Sequence, residues 1–325
     1  MTGALANVPS RNVVVAESEP ACVLAAVSLA RRLGGADLVF VRRDHPGLLF
    51  EMPAHVNRTR PYRLFVVGLD RLSPEDAAKL DADAATSVHW LDANDLGDEA
   101  GAALAKRCRG GGTWFNAPKT HHPFPAIDAA ASALALTADP FSDTLLAIAE
   151  ERLSPEDEAA FGMAWRDALA AMSSRPLELI SAVKPLVHGM PRELGEYEVI
   201  EGSGLRSEIN TLIDGSTLIR LPLAIGPTVL LMQPAPERLH TGTLADTALA
   251  RTRADIAICL FDVGDIAYLH TRRQGAEPPV SVKGVVERAR RIPWVAVERV
   301  QPGSAMLRFK DAPKEAARAF VAALG

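Results

Sequence analysis

The sequence predicts an α/β protein: an N-terminal doubly wound parallel sheet, a helical connector and a smaller C-terminal mixed α/β domain. Three observations carry this. The stretch Leu64–Asp95, LFVVGLDRLSPEDAAKLDADAATSVHWLDAND, reads strand, helix, strand, a βαβ unit whose two strands are parallel neighbours in one sheet. The apolar runs of the first third are near-continuous, as expected when helices cover both faces of a sheet. From His121 to about His188 the pattern becomes helical, and from about Tyr197 short strands return. The expected boundaries are therefore 1–120, 121–195 and 196–325.

The elements follow in order. Asn12–Ala16 (NVVVA) is a buried strand, and ACVLAAVSLARRLGG is a helix stopped by Gly34 and Gly35. ADLVFVRR is the second strand, and 44–61 is a loop. In the βαβ unit, Ser73 suits a helix N-cap, Pro74 the first helical position, and Glu75 and Asp76 the positive end of the helix dipole. A helix is expected over Gly97–Arg109, and GGGTWFN offers a last strand. The connector carries helices over Pro125–Thr137, Asp143–Glu151, Pro155–Met172 and Leu177–Val187, and Ser154-Pro155-Glu156-Asp157 repeats the earlier helix start. The last third reads as strands YEVIEG, STLIRLPLAI and TVLLMQ, a helix near Thr243–Arg253, strands IAICLFD and IAYLHTR, a helix over Val280–Arg291, strands WVAVERV and AMLRF, and a closing helix over Lys314–Leu324.

Composition bounds the function. The 325 residues are 48% apolar and 23% charged, with a net charge of −5, ordinary for a globular protein and ample for two domains. That charge argues against a surface that binds nucleic acid all over, while leaving room for a local basic groove. Cys22, Cys108 and Cys259 are far apart without CxxC spacing, so neither a disulfide framework nor a zinc site is expected, and a reducing cytoplasm fits. Cys22 and Cys259 read as buried thiols. No apolar run approaches a membrane span and the N-terminus has no signal core.

Ligands of open parallel sheets sit beyond the carboxyl ends of the strands. In the βαβ unit those ends carry Gly68, Asp70, Asp92, Asn94 and Asp95, while Glu17 and Glu19 lie at the strand-to-helix turn after the first strand. Helix-opening acids and turn-forming Asp or Asn also suit these places without any ligand. There is no GxSxG, P-loop lysine motif or HExxH, and Gly110–Gly112 is too short to mark a phosphate loop. His121 and His122 read as an exposed loop pair, and His89 as a half-buried strand residue. Arg272 and Arg273, with Lys283, Arg288, Arg290 and Arg291, make the C-terminal part locally basic: a solvated surface, or a groove for phosphates with Tyr268 and Trp294 as stacking surfaces.

On these motifs the chain resembles the DHH (Asp-His-His) phosphoesterase family, which includes oligoribonucleases and single-strand exonucleases. The resemblance spans most of the chain and rests on pattern more than identity. The family opens its first helix after an Asp-x-Asp; here that place reads Glu17-Ser18-Glu19. A strand-end Asp follows in the family; here VVGLDRLSPED puts Gly68 there, with Asp70 two residues on. The Asp-His-His strand becomes VHWLDAND, keeping Trp90 and Asp92 with Ala93 and Asn94 in place of the histidines. Arg272 in YLHTRRQ matches a Ser-x-Arg-like element, and RVQPGSAMLRF offers only Gly303 and Ser304 for the glycine-rich phosphate loop.

The resemblance implies an active site with two Mn²⁺ or Mg²⁺ ions, which activate a water and clamp phosphate oxygens during in-line displacement. This sequence offers few of the ligands two dications need. The reading is a pseudo-phosphoesterase that binds a nucleotide, a short single-stranded nucleic acid or a protein partner in an interdomain cleft, with no cofactor. The alternative is a phosphoesterase with a rearranged metal site built from Glu17, Glu19, Asp70 and Asp92, using Mn²⁺ or Mg²⁺. A single hard cation would fall on Glu17, Glu19 and Asp92. Arg272, Arg273, Gly303 and Ser304 are the phosphate-binding candidates.

Overall fold

The computed structural model describes residues 11–41, 61–69, 74–92, 102, 105–116, 124–150, 152–189, 194–221, 227–233, 241–261, 266–271, 282–301, 303–310 and 316–324. The chain divides into two compact units, Met1–Ile200 and Glu201–Gly325.

The first unit is built on five strands: β1 (Arg11–Glu17), β2 (Asp37–Val41), β3 (Tyr62–Val67), β4 (Ser87–Asp92) and β5 (Trp114–Asn116). All pair in parallel, in the order β2-β1-β3-β4-β5. The βαβ unit is present as expected: β3 and β4 are neighbours, Phe65 opposite His89 and Val66 opposite Trp90, with helix α2 (Pro74–Asp81) between them in the chain. Alternate residues feed two cores. Val14, Ala16, Phe65, Val67 and Leu91 face helix α1 (Pro20–Arg32) and the helices of the connector. Val13, Val15, Leu64, Val66 and Trp90 face the other way, with Leu80 of α2. Burial on both faces is why these strands read as unbroken apolar runs.

Helix starts follow the expected chemistry. Proline occupies the first turn of α1 and of the helices Pro140–Ala149, Pro155–Asp157 and Pro176–Val183, where its missing N–H costs nothing. Ser154 caps its helix by accepting from the Asp157 amide at 3.1 Å. Two glycines of the triplet at 110–112 answer to sterics, since a Cβ on Gly110 would collide with the Thr86 carbonyl and one on Gly112 with the Val88 carbonyl, while Gly111 stands in open space with φ +78°.

The second unit holds a six-stranded mixed sheet in the order β10-β11-β9-β8-β7-β6. Its strands are β6 (Thr217–Ile219), β7 (Thr228–Gln233), β8 (Ile256–Phe261), β9 (Ile266–Thr271), β10 (Val295–Gln301) and β11 (Ser304–Phe309). β7 and β8 are parallel, and the other neighbours are antiparallel. Helices Lys283–Ala289 and Ala316–Leu324 supply the core on one face, through Val285, Val286, Phe320 and Leu324. No helix among the described residues is long and apolar enough to cross a membrane.

Two expectations need correction. YEVIEG is not a strand: it opens the helix Glu196–Asp214. Leu205, Ile209 and Ile213 of that helix are buried, a four-residue spacing that sets a helical period and overrides the short β-like run before it. His89 is buried at 3% exposure, not half-buried, because the parallel sheet is covered on both faces. The helix expected over Gly97–Arg109 falls mostly outside the described residues, as do His121 and His122.

Candidate functional site at the end of the first sheet

The strand order 2-1-3-4-5 places a reversal of winding between β1 and β3. From β1 the chain steps outward to β2, then returns past β1 to β3. The connections therefore diverge at the carboxyl ends of β1 and β3, the place where open α/β sheets leave a crevice. Glu17 is the last residue of β1, and Gly68 directly follows β3.

Four of the residues met there can be placed closely. Glu17 is buried at 7% exposure and Cys22 at 5%, and Glu19 is half-buried. Glu19 stands at the N-cap of α1 but makes no side-chain capping bond. Carboxylate oxygens of Glu17 and Glu19 and the Cys22 Sγ all lie within 4.8 Å of one another. Gly68 has φ +72°, and its N–H donates to the Leu91 carbonyl at 2.9 Å. A Cβ on Gly68 would overlap the Cys22 Sγ and stand 3.4 Å from the Cys22 Cβ. The thiol thus fills the direction in which any side chain at position 68 would project.

Sequence reasoning assigned Cys22 no role beyond burial. Its signal was its position, three residues after Glu19 on the first turn of a helix, which returns it to the same strand end. Contact with Gly68 depends on the β1–β3 pairing. Trp90 serves the same corner from below. Its side chain is fully buried, and its indole N–H donates to the Leu69 carbonyl at 3.0 Å, fixing the backbone just beyond β3.

Asp92 ends β4 opposite Asn116, but its side chain lies outside the described residues. Asp70 and Asn94 lie outside them entirely. The other candidate cluster belongs to the second unit. Gly303 sits at the β10–β11 turn, where its carbonyl accepts from the Thr271 N–H at 2.9 Å and the Thr271 hydroxyl at 3.2 Å. Ser304 pairs with His270 in the β9–β11 ladder. The turn is therefore held against the end of β9. Arg272 and Arg273 are the next two residues in the chain, and they fall outside the described residues.

Cys22, Cys108 and Cys259 form no disulfide with one another. Burial pushes the Cys108 thiol up to about 11, against a bond from the Trp90 backbone, and the Cys259 thiol up to about 12, helped by Asp246. Both are therefore protonated and unreactive near neutral pH.

No protein-family model matches this sequence, and no curated protein matches it. Solved structures do. A DHH-domain member of the s1p family of ribosomal proteins is 12% identical, with a TM-score of 0.64 over 96% of this chain and 86% of that one. The pGpG-specific phosphodiesterase PggH from Vibrio cholerae is 13% identical, with a TM-score of 0.55 over 97% and 98%. RecJ in complex with Mn²⁺, from Thermus thermophilus, is 13% identical, with a TM-score of 0.51 over 97% of this chain and 51% of that chain. The chain spans about half of that RecJ structure. With its parallel sheet, connector helices and mixed second sheet, the chain has the DHH-like fold.

Proposed function

We propose that this protein binds a nucleotide or a short single-stranded nucleic acid and performs no two-metal phosphodiester hydrolysis. The observation that carries the reading is the corner formed by Gly68 and Cys22. Two adjacent hard dications repel each other and must replace lost water, so they need several fixed oxygen or imidazole ligands. Gly68 supplies none, and the space beside it is filled by a thiol. Ala93 has no ligand atom, and Asn94 offers only a neutral amide. Glu17, Glu19 and Cys22 alone do not fit the two-cation group of the resembled family.

A nucleotide or nucleic-acid ligand is supported by the company of the fold: PggH is named for its action on pGpG. In the second unit, Arg272 and Arg273 follow the β9 end against which Gly303 and Ser304 are held. Two arginines at this point of the sequence supply the positive charge that a phosphate group would need.

The test uses the metal-stripped full chain with a short oligoribonucleotide and linear and cyclic dinucleotides, with and without Mn²⁺. Saturable binding that needs no Mn²⁺, weakens with salt and falls in Arg272→Ala/Arg273→Ala is the expected result. Mn²⁺-dependent turnover that disappears in Asp92→Ala would overturn the reading and install the rearranged phosphoesterase in its place.

A further inference from the structure

We infer that Cys22 and Gly68 act as a matched pair that decides cation acceptance at this strand end: the thiol, seated where a position-68 side chain would stand, denies Glu17 and Glu19 the third carboxylate they would need to hold a hard dication. The inference deepens the preceding reading and rests on it only in taking this corner to be free of two-metal chemistry.

The geometry gives the pair its coupling. Gly68 has φ +72°, a conformation that most side chains resist but that Asp and Asn adopt more readily than other non-glycine residues. Backbone shape alone therefore strains a carboxylate at position 68 without barring it. The bar is the sulfur, which a Cβ there would overlap. The Cys22 Cβ would stand 3.4 Å from that added Cβ, an ordinary van der Waals contact. Removing the sulfur while keeping the Cβ, as in Cys22→Ala, is enough to make room.

The chemistry gives the pair its consequence. Mn²⁺ and Mg²⁺ prefer oxygen ligands at short, near-octahedral distances. Glu17 and Glu19 bring carboxylates to one point, with Cys22 as the third donor. A sulfur in the third place is bulky and soft, so the set is poor for a hard ion. An aspartate in the third place would make it a three-carboxylate corner. The sulfur and the missing side chain lie far apart in sequence, yet each substitution has the intended effect only with the other.

The experiment compares the full-length wild type with Cys22→Ala, Gly68→Asp and the double variant. Mn²⁺ uptake is read from loss of the free-ion electron paramagnetic resonance signal and from the shift in Tm. Wild type and Cys22→Ala should take up no Mn²⁺. Gly68→Asp should lower Tm, and Cys22→Ala added to it should recover most of that loss. The double variant should bind Mn²⁺, with Tm rising by roughly 5 °C at saturation. Three results would each overturn the inference: wild type binding Mn²⁺ as tightly as the double variant, a Gly68→Asp loss that Cys22→Ala does not relieve, or a folded double variant that binds none. Nucleotide binding by wild type is scored separately, so failure of the nucleotide reading would stand apart from failure of this one.

Discussion

The imidazole of His89 lies flat on the ring of Phe65, centroids 4.7 Å apart and planes 10° from parallel. The two residues face each other across the β3–β4 ladder. The arrangement holds a titratable group inside a sheet covered on both faces. The His89 Nε2 lies 3.4 Å from the Ser87 hydroxyl, and its Nδ1 has no hydrogen-bond partner among the described residues. Burial, and then the nearby Arg63 cation, hold the His89 pKa below its ordinary value.

That arrangement sets a pH dependence. Above the ordinary value of 6.5, His89 is neutral folded or unfolded and contributes no slope. As pH falls below 6.5 the unfolded chain takes up the proton first, so stability is lost on acidification. One proton accounts for at most about 1.4 kcal/mol per pH unit. Urea midpoints across this range should fall with pH in wild type and fall less steeply in His89→Gln. Equal slopes would show that His89 is not the group responsible.

Neighbouring arginines on α1 should differ sharply in worth. Arg31 is 7% exposed in its side chain and donates to both Asp139 oxygens, to the Leu186 carbonyl and to the Gly189 carbonyl at 2.8 Å. Asp139 also caps the helix Pro140–Ala149, accepting from Phe141 N–H at 3.2 Å and the Ser142 hydroxyl at 2.9 Å. Burial pushes the Asp139 carboxyl up, but the bonds from Arg31, Ser142 and Phe141 outweigh it and hold the pKa low. Arg32 pairs instead with Asp128 and Asp143, which are 64% and 72% exposed. Arg31→Met strands a part-buried carboxylate and should cost about 3 kcal/mol in urea unfolding. Asp128→Asn should cost less than about 1 kcal/mol. Similar costs for the two would refute the assignment of Arg31 as the clasp between α1 and the connector helices.

Much of the first unit was legible because its signals are local. A proline or serine followed by acids opens α2 and the helix after Ser154, and an unbroken apolar run marks a strand covered on both faces. The run YEVIEG misled for the same reason. Its local pattern is β-like, while the helical spacing that decides it lies further on, at Leu205, Ile209 and Ile213. In the site, Gly68 could be picked out from its strand end, and Glu17 and Glu19 from their strand-to-helix turn together with the family resemblance. The role of Cys22 could not, because its contact with Gly68 exists only once β1 and β3 are paired. The Arg31–Asp139 pair was invisible likewise, joining residues 108 positions apart.

Trp90 offers a way to weaken the site without touching any candidate ligand. It is fully buried, with Leu64, Val66 and Leu80 in the same core. Its one polar side-chain atom donates to the Leu69 carbonyl at 3.0 Å, so the residue ties the end of β3 to β4 just past Gly68. Trp90→Phe keeps most of the apolar volume but leaves that carbonyl without its donor, and Leu69 is itself 4% exposed. The expected cost is about 1–3 kcal/mol, the desolvation penalty of an unpaired buried acceptor, with a small cavity term added. Leu69 is next to Gly68, so the freed backbone should also relax the Gly68–Cys22 contact. Alkylation of Cys22 should then become faster in Trp90→Phe than in wild type, while Cys108 and Cys259 stay slow because burial keeps them protonated. Peptide mapping after timed iodoacetamide treatment reads this directly. Unchanged Cys22 labelling in a measurably destabilised Trp90→Phe would mean that the indole supports the core alone and not the strand-end corner.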